Sequence, residues 1–145
     1  MSALENLVIG AWTLVSFEQE SQAGEIIYPL GDDAKGSIYY LPNGYVSVHI
    51  MDVNRSENVA ELLYKDKQLK YNDLGYLAYS GRYHIDEENR IMTHHIEISL
   101  YPEWIRGQQV RLIKLDGEHL QLSSNGPVGP QKIQFRLLWK RALND

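Results

Sequence analysis

The sequence predicts an all-β protein, a single closed antiparallel up-and-down β-barrel of eight to ten strands with one short helical insert. Three observations predict it. Short alternating runs rich in tyrosine, valine and isoleucine recur with turn signals between them, and helix-length periodic runs are scarce. The two ends of the chain also carry features that fit each other. Gly10 stands before Trp12 at the head of the run Ala11-Trp12-Thr13-Leu14-Val15-Ser16-Phe17, where a glycine lets the backbone bend and an indole covers a barrel floor. At the other end, Phe135 to Arg141 forms a strand whose basic side chains are placed to lie across that indole. If these ends meet, the sheet closes and loses its unpaired edges. The alternative is a Trp12 buried in the core of an open sandwich.

The elements follow in order. After the first strand, Gln22 to Glu25 turns into Ile26-Ile27-Tyr28, and a loop from Pro29 to Gly36 leads to Ser37-Ile38-Tyr39-Tyr40-Leu41. Asn43-Gly44 signals a hairpin through a type I′ turn, because both residues tolerate positive φ, and it delivers Tyr45 to Met51. From Ser56 to about Lys70, Val59, Leu62, Leu63 and Leu69 fall near helical spacing, with Glu57 early and lysines late, which is the helical insert. Strands resume at Leu77–Ile85 and Ile91–Ser99, linked through Asp86 to Asn89. Tyr101-Pro102-Glu103-Trp104 interrupts the ladder, and strands at Gln108–Leu115, His119–Ser123 and Ile133–Lys140 complete it.

A chain of 145 residues reads as one domain over 1–145, long enough to bury about two-thirds of its unfolded surface. There is no cysteine, which excludes disulfides, thiolate catalysis and zinc–thiolate sites. The net charge of −5 and the scattered basic residues argue against nucleic acid as a partner. No apolar run reaches the length of a membrane span, and Met1 to Asn6 lacks the basic start and apolar stretch of a signal peptide. The expectation is a cytoplasmic monomer or homodimer without membrane attachment.

The chain resembles the lipocalin-like domain family, small stand-alone bacterial and fungal proteins related in shape to lipocalins and other calycins. The resemblance is carried by Ile9 to Phe17, Pro29 to Gly36 and Asn43 to Val48. It is strongest in Tyr76-Leu77-Ala78-Tyr79-Ser80-Gly81-Arg82-Tyr83, in His94 to Trp104 and in Gly107 to Arg111. Glu103 stands where the family pattern leads one to expect asparagine, and Val53 to Leu74 matches poorly. The resemblance implies a barrel with an internal pocket for a small organic molecule. Some relatives sit among enzymes that make natural products, but no reaction is implied.

The candidate site depends on strand register, since side chains alternate between faces. His95 and Glu97 share one face, Gln109 and Arg111 share one on the next strand, and Tyr79 and Tyr83 share one on the strand before. If the Asp86–Asn89 turn carries a bulged residue, Ile85 and Ile91 both point inward, and these six polar residues fill the lumen. The opposite register buries Met92, His94, Ile96 and Ile98 and exposes His95 and Glu97; a slip of one residue separates the two. We read the polar lumen. Tyr45, Ser47 and His49 form a further one-sided row, and Trp104 is a wall plug or lid.

Two functions fit such a lumen. One is a carrier or sensor, in which Arg111, Gln109, Tyr45, Ser47, His49 and Trp104 hold a partly apolar molecule. The other is a cofactor-free isomerase or cyclase, in which His95 and Glu97 move a proton while Tyr79 or Tyr83 stabilises charge. The polar set serves equally as ion pairs and hydrogen bonds that satisfy one another. No cofactor is indicated, and His95 and Glu97 with His84 or His49 make too loose a set for a metal site.

Overall fold

The computed structural model describes residues 2–55 and 74–143. The chain runs through a helix α1 (Ala3–Val8) and strands β1 (Gly10–Glu20), β2 (Ile26–Ile27), β3 (Lys35–Tyr40), β4 (Tyr45–Met51), β5 (Tyr76–Asp86), β6 (Ile91–Ser99), β7 (Gln108–Asp116), β8 (His119–Ser124) and β9 (Gln134–Arg141). Every neighbouring pair is antiparallel. The sheet closes because β1 pairs with β3 from Gly10↔Tyr40 to Thr13↔Ser37 and with β9 from Trp12↔Arg141 to Glu20↔Gln134. This is a closed eight-stranded barrel, with β2 added as a ninth strand against the end of β1. The strands fall within a few residues of the sequence expectation. The expected helical insert from Ser56 to Lys70 lies outside the described residues.

The two chain ends meet on the floor of the barrel. Trp12 is wholly buried, and its Nε1 donates to the Val8 carbonyl at 2.9 Å. The Arg141 guanidinium lies 4.1 Å from the indole centroid. It also donates to the carbonyls of Ile9, at 3.2 Å, and Leu7. Three carbonyls at the end of α1, which the helix cannot satisfy itself, are thus met by one tryptophan and one arginine. Replacing Arg141 with methionine keeps the apolar stem and removes the cation. The expected cost is about 1–3 kcal/mol, read as a lower urea midpoint with an unchanged slope.

Helix α1 was not among the expected elements, although its signal is present. Ser2-Ala3-Leu4-Glu5 has the spacing of a capping box, and Ser2 Oγ accepts from the Glu5 backbone N–H at 3.2 Å. Leu4 and Val8 enter the core beneath Trp12, so the short helix stoppers the barrel.

The hairpin at Asn43-Gly44 forms, but not as a type I′ turn. Gly44 alone has positive φ, +90°, and its N–H donates to the Leu41 carbonyl at 3.1 Å across Pro42 and Asn43. The proline ring at the first corner holds φ negative, which excludes a turn needing two successive positive values.

The turn between β5 and β6 sets the lumen register. Asp86 pairs with Ile91 across four loop residues, and Ile85 pairs with Met92. Asp86 closes the loop by accepting from the Asn89 backbone at 3.2 Å and side chain at 2.8 Å, bonds that also lower its pKa. No residue is bulged there, so Met92, His94 and Ile96 point inward and His95 points out. The bulge falls further along β6, where Ser80 pairs with Ile98 and Gly81 with Ile96, leaving Glu97 as the extra residue. Beyond it the faces exchange, and Ile98 is 69% exposed. A second bulge, at Val15 in β1, lets that strand curve from β3 towards β9.

Candidate functional site

The lower half of the barrel is packed with Val46, Ile85, Met92, Ile113 and Leu120 around the tryptophan floor. The upper half encloses a cavity of about 570 Å³. Its wall is mostly apolar, with Ile38, Val48, Ile50, Leu77, Leu122, Leu137 and the rings of Phe17, Trp104, Phe135 and Trp139. Pro29, Glu103 and Val128 line it while exposed to solvent, so they mark its mouth. All come from loops at the end where β1, β4, β6 and β8 finish.

Apart from Gln19 on β1, the polar groups carried by the strands gather on one side of the wall, on β5, β6 and β7, and the register explains why. His94 faces inward and pairs with Gln109, and inward Met92 pairs with Arg111, so Gln109 and Arg111 also face the lumen. The His94 ring is only 2% exposed and bonded at both nitrogens. Nε2 lies 2.7 Å from Tyr40 Oη and Nδ1 lies 2.6 Å from Tyr79 Oη. Burial, with the nearby Arg111 charge, lowers its pKa to about 3, so the imidazole is neutral. Burial likewise holds the Tyr40 and Tyr79 hydroxyls well above their ordinary range.

Arg111 donates to Gln109 Oε1 at 2.7 Å and to the Val110 carbonyl at 2.9 Å, and its guanidinium lies 5.8 Å from the Phe135 ring centroid. Among the described residues no carboxylate comes within 4.0 Å of it. Burial lowers its pKa, opposed by Tyr79 and Tyr40. A guanidinium remains charged in proteins, so the cavity wall carries a cation that no carboxylate among the described residues pairs with.

The residues singled out from sequence divide into those the barrel brings together and those it does not. Tyr79, Gln109, Arg111 and Trp104 line the cavity. Trp104 sits on a 3-10 turn (Pro102–Trp104), with its ring edge-on to Tyr101 at 4.7 Å and to Tyr79 at 6.1 Å. Tyr83 faces inward but below the cavity. Its ring meets Tyr40 edge-on at 4.9 Å, and its hydroxyl donates to the Leu41 carbonyl at 2.8 Å.

The other five stand on the outer face, which corrects the polar-lumen register. His95 meets Gln108 at 3.3 Å, and Glu97 is 3.8 Å from Arg82, whose side chain is itself 58% exposed. Tyr45 lies beneath Arg82, with its hydroxyl 2.6 Å from the guanidinium. Ser47 and His49 bond to each other at 3.0 Å, and Tyr76 reaches His49 at 3.3 Å. The reason is energetic. The register with His94 inside buries Met92 and Ile96 and satisfies its one imidazole, whereas the opposite one buries a carboxylate at Glu97 and turns Met92 to water. His94 and Tyr40 are therefore the polar lumen residues missing from the expected set. For His94 the signal is the apolar spacing Met92-His94-Ile96, which the polar pair His95 and Glu97 opposes. Among the described residues no group of three His, Asp or Glu side chains is arranged around a common metal position.

Comparison with known proteins agrees with this architecture. Residues 9–142 match the family described as lipocalin-like domain. The 4'-hydroxy-3'-methoxypropiophenone carrier protein ppsC of Aspergillus oryzae (strain ATCC 42149 / RIB 40) is 33% identical over 84 residues, covering 52% of this chain and 76% of that protein. No helix among the described residues is long and apolar enough to cross a membrane.

Proposed function

The chain belongs to the lipocalin-like domain family, and from that premise we propose that it binds a small, partly apolar organic molecule inside the barrel, as a carrier or sensor. The observation that carries this reading is the cavity itself. Its volume of about 570 Å³ lies within the range of small-molecule sites, and its wall is apolar with a few convergent polar groups. The aromatic wall suits a ligand with a flat ring, and the similarity to a protein named as a carrier of an oxygenated aryl ketone favours that class. Arg111, Gln109 and Tyr79 are the polar contacts in this reading, and Trp104 closes the ligand's apolar side. The enzymatic reading rested on His95 with Glu97, and both stand outside the barrel.

Two measurements test the proposal. Native mass spectrometry of freshly purified protein is expected to show a species heavier than the 16.7 kDa chain by one small molecule. Titration with N-phenylnaphthylamine, a neutral fluorescent hydrophobe, is expected to saturate at one equivalent. Leu77→Trp, which fills the cavity, should weaken it by roughly tenfold or more, about 1.4 kcal/mol, while the circular dichroism spectrum is retained. No saturable uptake of the probe by folded protein would overturn the proposal.

A further inference from the structure

We infer that the polar side of the cavity is an oxyanion site, built to take the carboxylate or similarly charged oxygen of an otherwise apolar ligand. The inference rests on the binding reading above and names the ligand class within it.

It follows from counting donors and acceptors. Tyr40 Oη is fully buried, and among the described residues His94 Nε2 is its only hydrogen-bond partner. If His94 donated from Nε2, the Tyr40 proton would be left without an acceptor, at a cost of about 1–3 kcal/mol. Tyr40 therefore donates to Nε2, which places the imidazole proton on Nδ1. A neutral imidazole has one N–H, and it points to Tyr79 Oη at 2.6 Å. Tyr79 accepts that proton and is left with its own O–H to give. Because Tyr79 lines the cavity, the O–H is given there.

The neighbouring groups have the same polarity. Arg111 uses two N–H groups on Gln109 Oε1 and the Val110 carbonyl, which leaves the rest of its five. Gln109 has its carbonyl oxygen occupied by Arg111 and presents its NH₂. Tyr79, Arg111 and Gln109 thus turn donors to one side of an apolar chamber, and among the described residues no carboxylate pairs with the Arg111 charge. Glu103, the acid among the described residues that lines the cavity, stands exposed at the mouth, where water screens its charge. The complement of a donor set with a net cation is an acceptor with a net negative charge. An isolated buried guanidinium is costly until such a group arrives.

The test compares an acid with its neutral amide. Phenylbutyrate and phenylbutyramide share one apolar body, and only the first is charged at neutral pH. Each is titrated against protein preloaded with N-phenylnaphthylamine. The acid is expected to displace the probe at a concentration roughly tenfold or more below that of the amide. Arg111→Gln should erase that preference by weakening the acid alone, and Tyr79→Phe should reduce it several-fold. Should Arg111→Gln fail to fold, Arg111→Lys retains the charge and is expected to keep part of the preference. If the probe binds and the amide displaces it as well as the acid, the oxyanion site is overturned while the binding barrel stands. If the probe does not bind, the binding reading falls first.

Discussion

Gly81→Ala is expected to destabilise the barrel by roughly 3 kcal/mol or more, among the largest effects a single methyl group can have in this chain. A Cβ built on Gly81 would overlap the His95 carbonyl oxygen and lie 3.0 Å from the Glu97 nitrogen. Both atoms are backbone and belong to the β6 bulge, so no side-chain rotation relieves the overlap. The bulge is also what reverses the faces beyond Ile96 as β6 bends round the cavity, turning Ile98 outward. At this chain length the expected fall in melting temperature is on the order of 10 °C or more, measured by circular dichroism. The control is Gly117→Ala, where a Cβ meets nothing within 4 Å and only the positive φ of +57° is strained; its expected cost is about 1 kcal/mol. A melting temperature for Gly81→Ala as high as the control's would show that β5 and β6 do not approach in this way.

Acid is expected to unfold the protein well before its carboxylates are neutralised, with His94 the principal cause. Its folded pKa of about 3 lies below the ordinary value of 6.5 because burial, Arg111 and His95 all disfavour the imidazolium. Between these two values the unfolded chain binds a proton that the folded chain refuses, so stability rises with pH across that window. The contribution is complete above about pH 6.5 and is lost at about 1.4 kcal/mol per pH unit below it, up to about 4–5 kcal/mol. Urea unfolding from pH 7 to pH 4 measures the slope. His94→Gln, which cannot titrate, is expected to lie flatter than wild type over the same range although less stable at pH 7. Parallel slopes for the two proteins would show that His94 is not buried and neutral.

The strands and the closure of the barrel were legible in the chain because they depend on local alternation and on the two ends. The runs at Tyr45–Met51 and Ile91–Ser99 fold over the residues read from their patterns. The pairing of a buried Trp12 with a basic last strand narrowed to a single contact, with Arg141. The capping box at Ser2 was equally local, but a helix of six residues is too short to show periodicity. The site was harder to read. His94 and His95 are adjacent and chemically identical, and their neighbours at two residues' distance point both ways: Met92 and Ile96 flank His94 with apolar side chains, while Glu97 aligns with His95 as a polar pair.

What the sequence determined by itself was the alternation of faces, the turn positions and the aromatic and basic residues at the seam, since each is fixed by neighbours close along the chain. Which face became the interior was decided only in three dimensions. The four-residue turn after Asp86 pairs Ile85 with Met92, and a bulge opposite Gly81 then reverses the faces before the mouth. Across the barrel, Tyr40 and Tyr79 supply the two hydrogen bonds that allow His94 to be buried as a neutral ring. Those partners lie 54 and 15 residues away, so the local apolar spacing around His94 could hint at its burial but not show the hydrogen bonds that permit it.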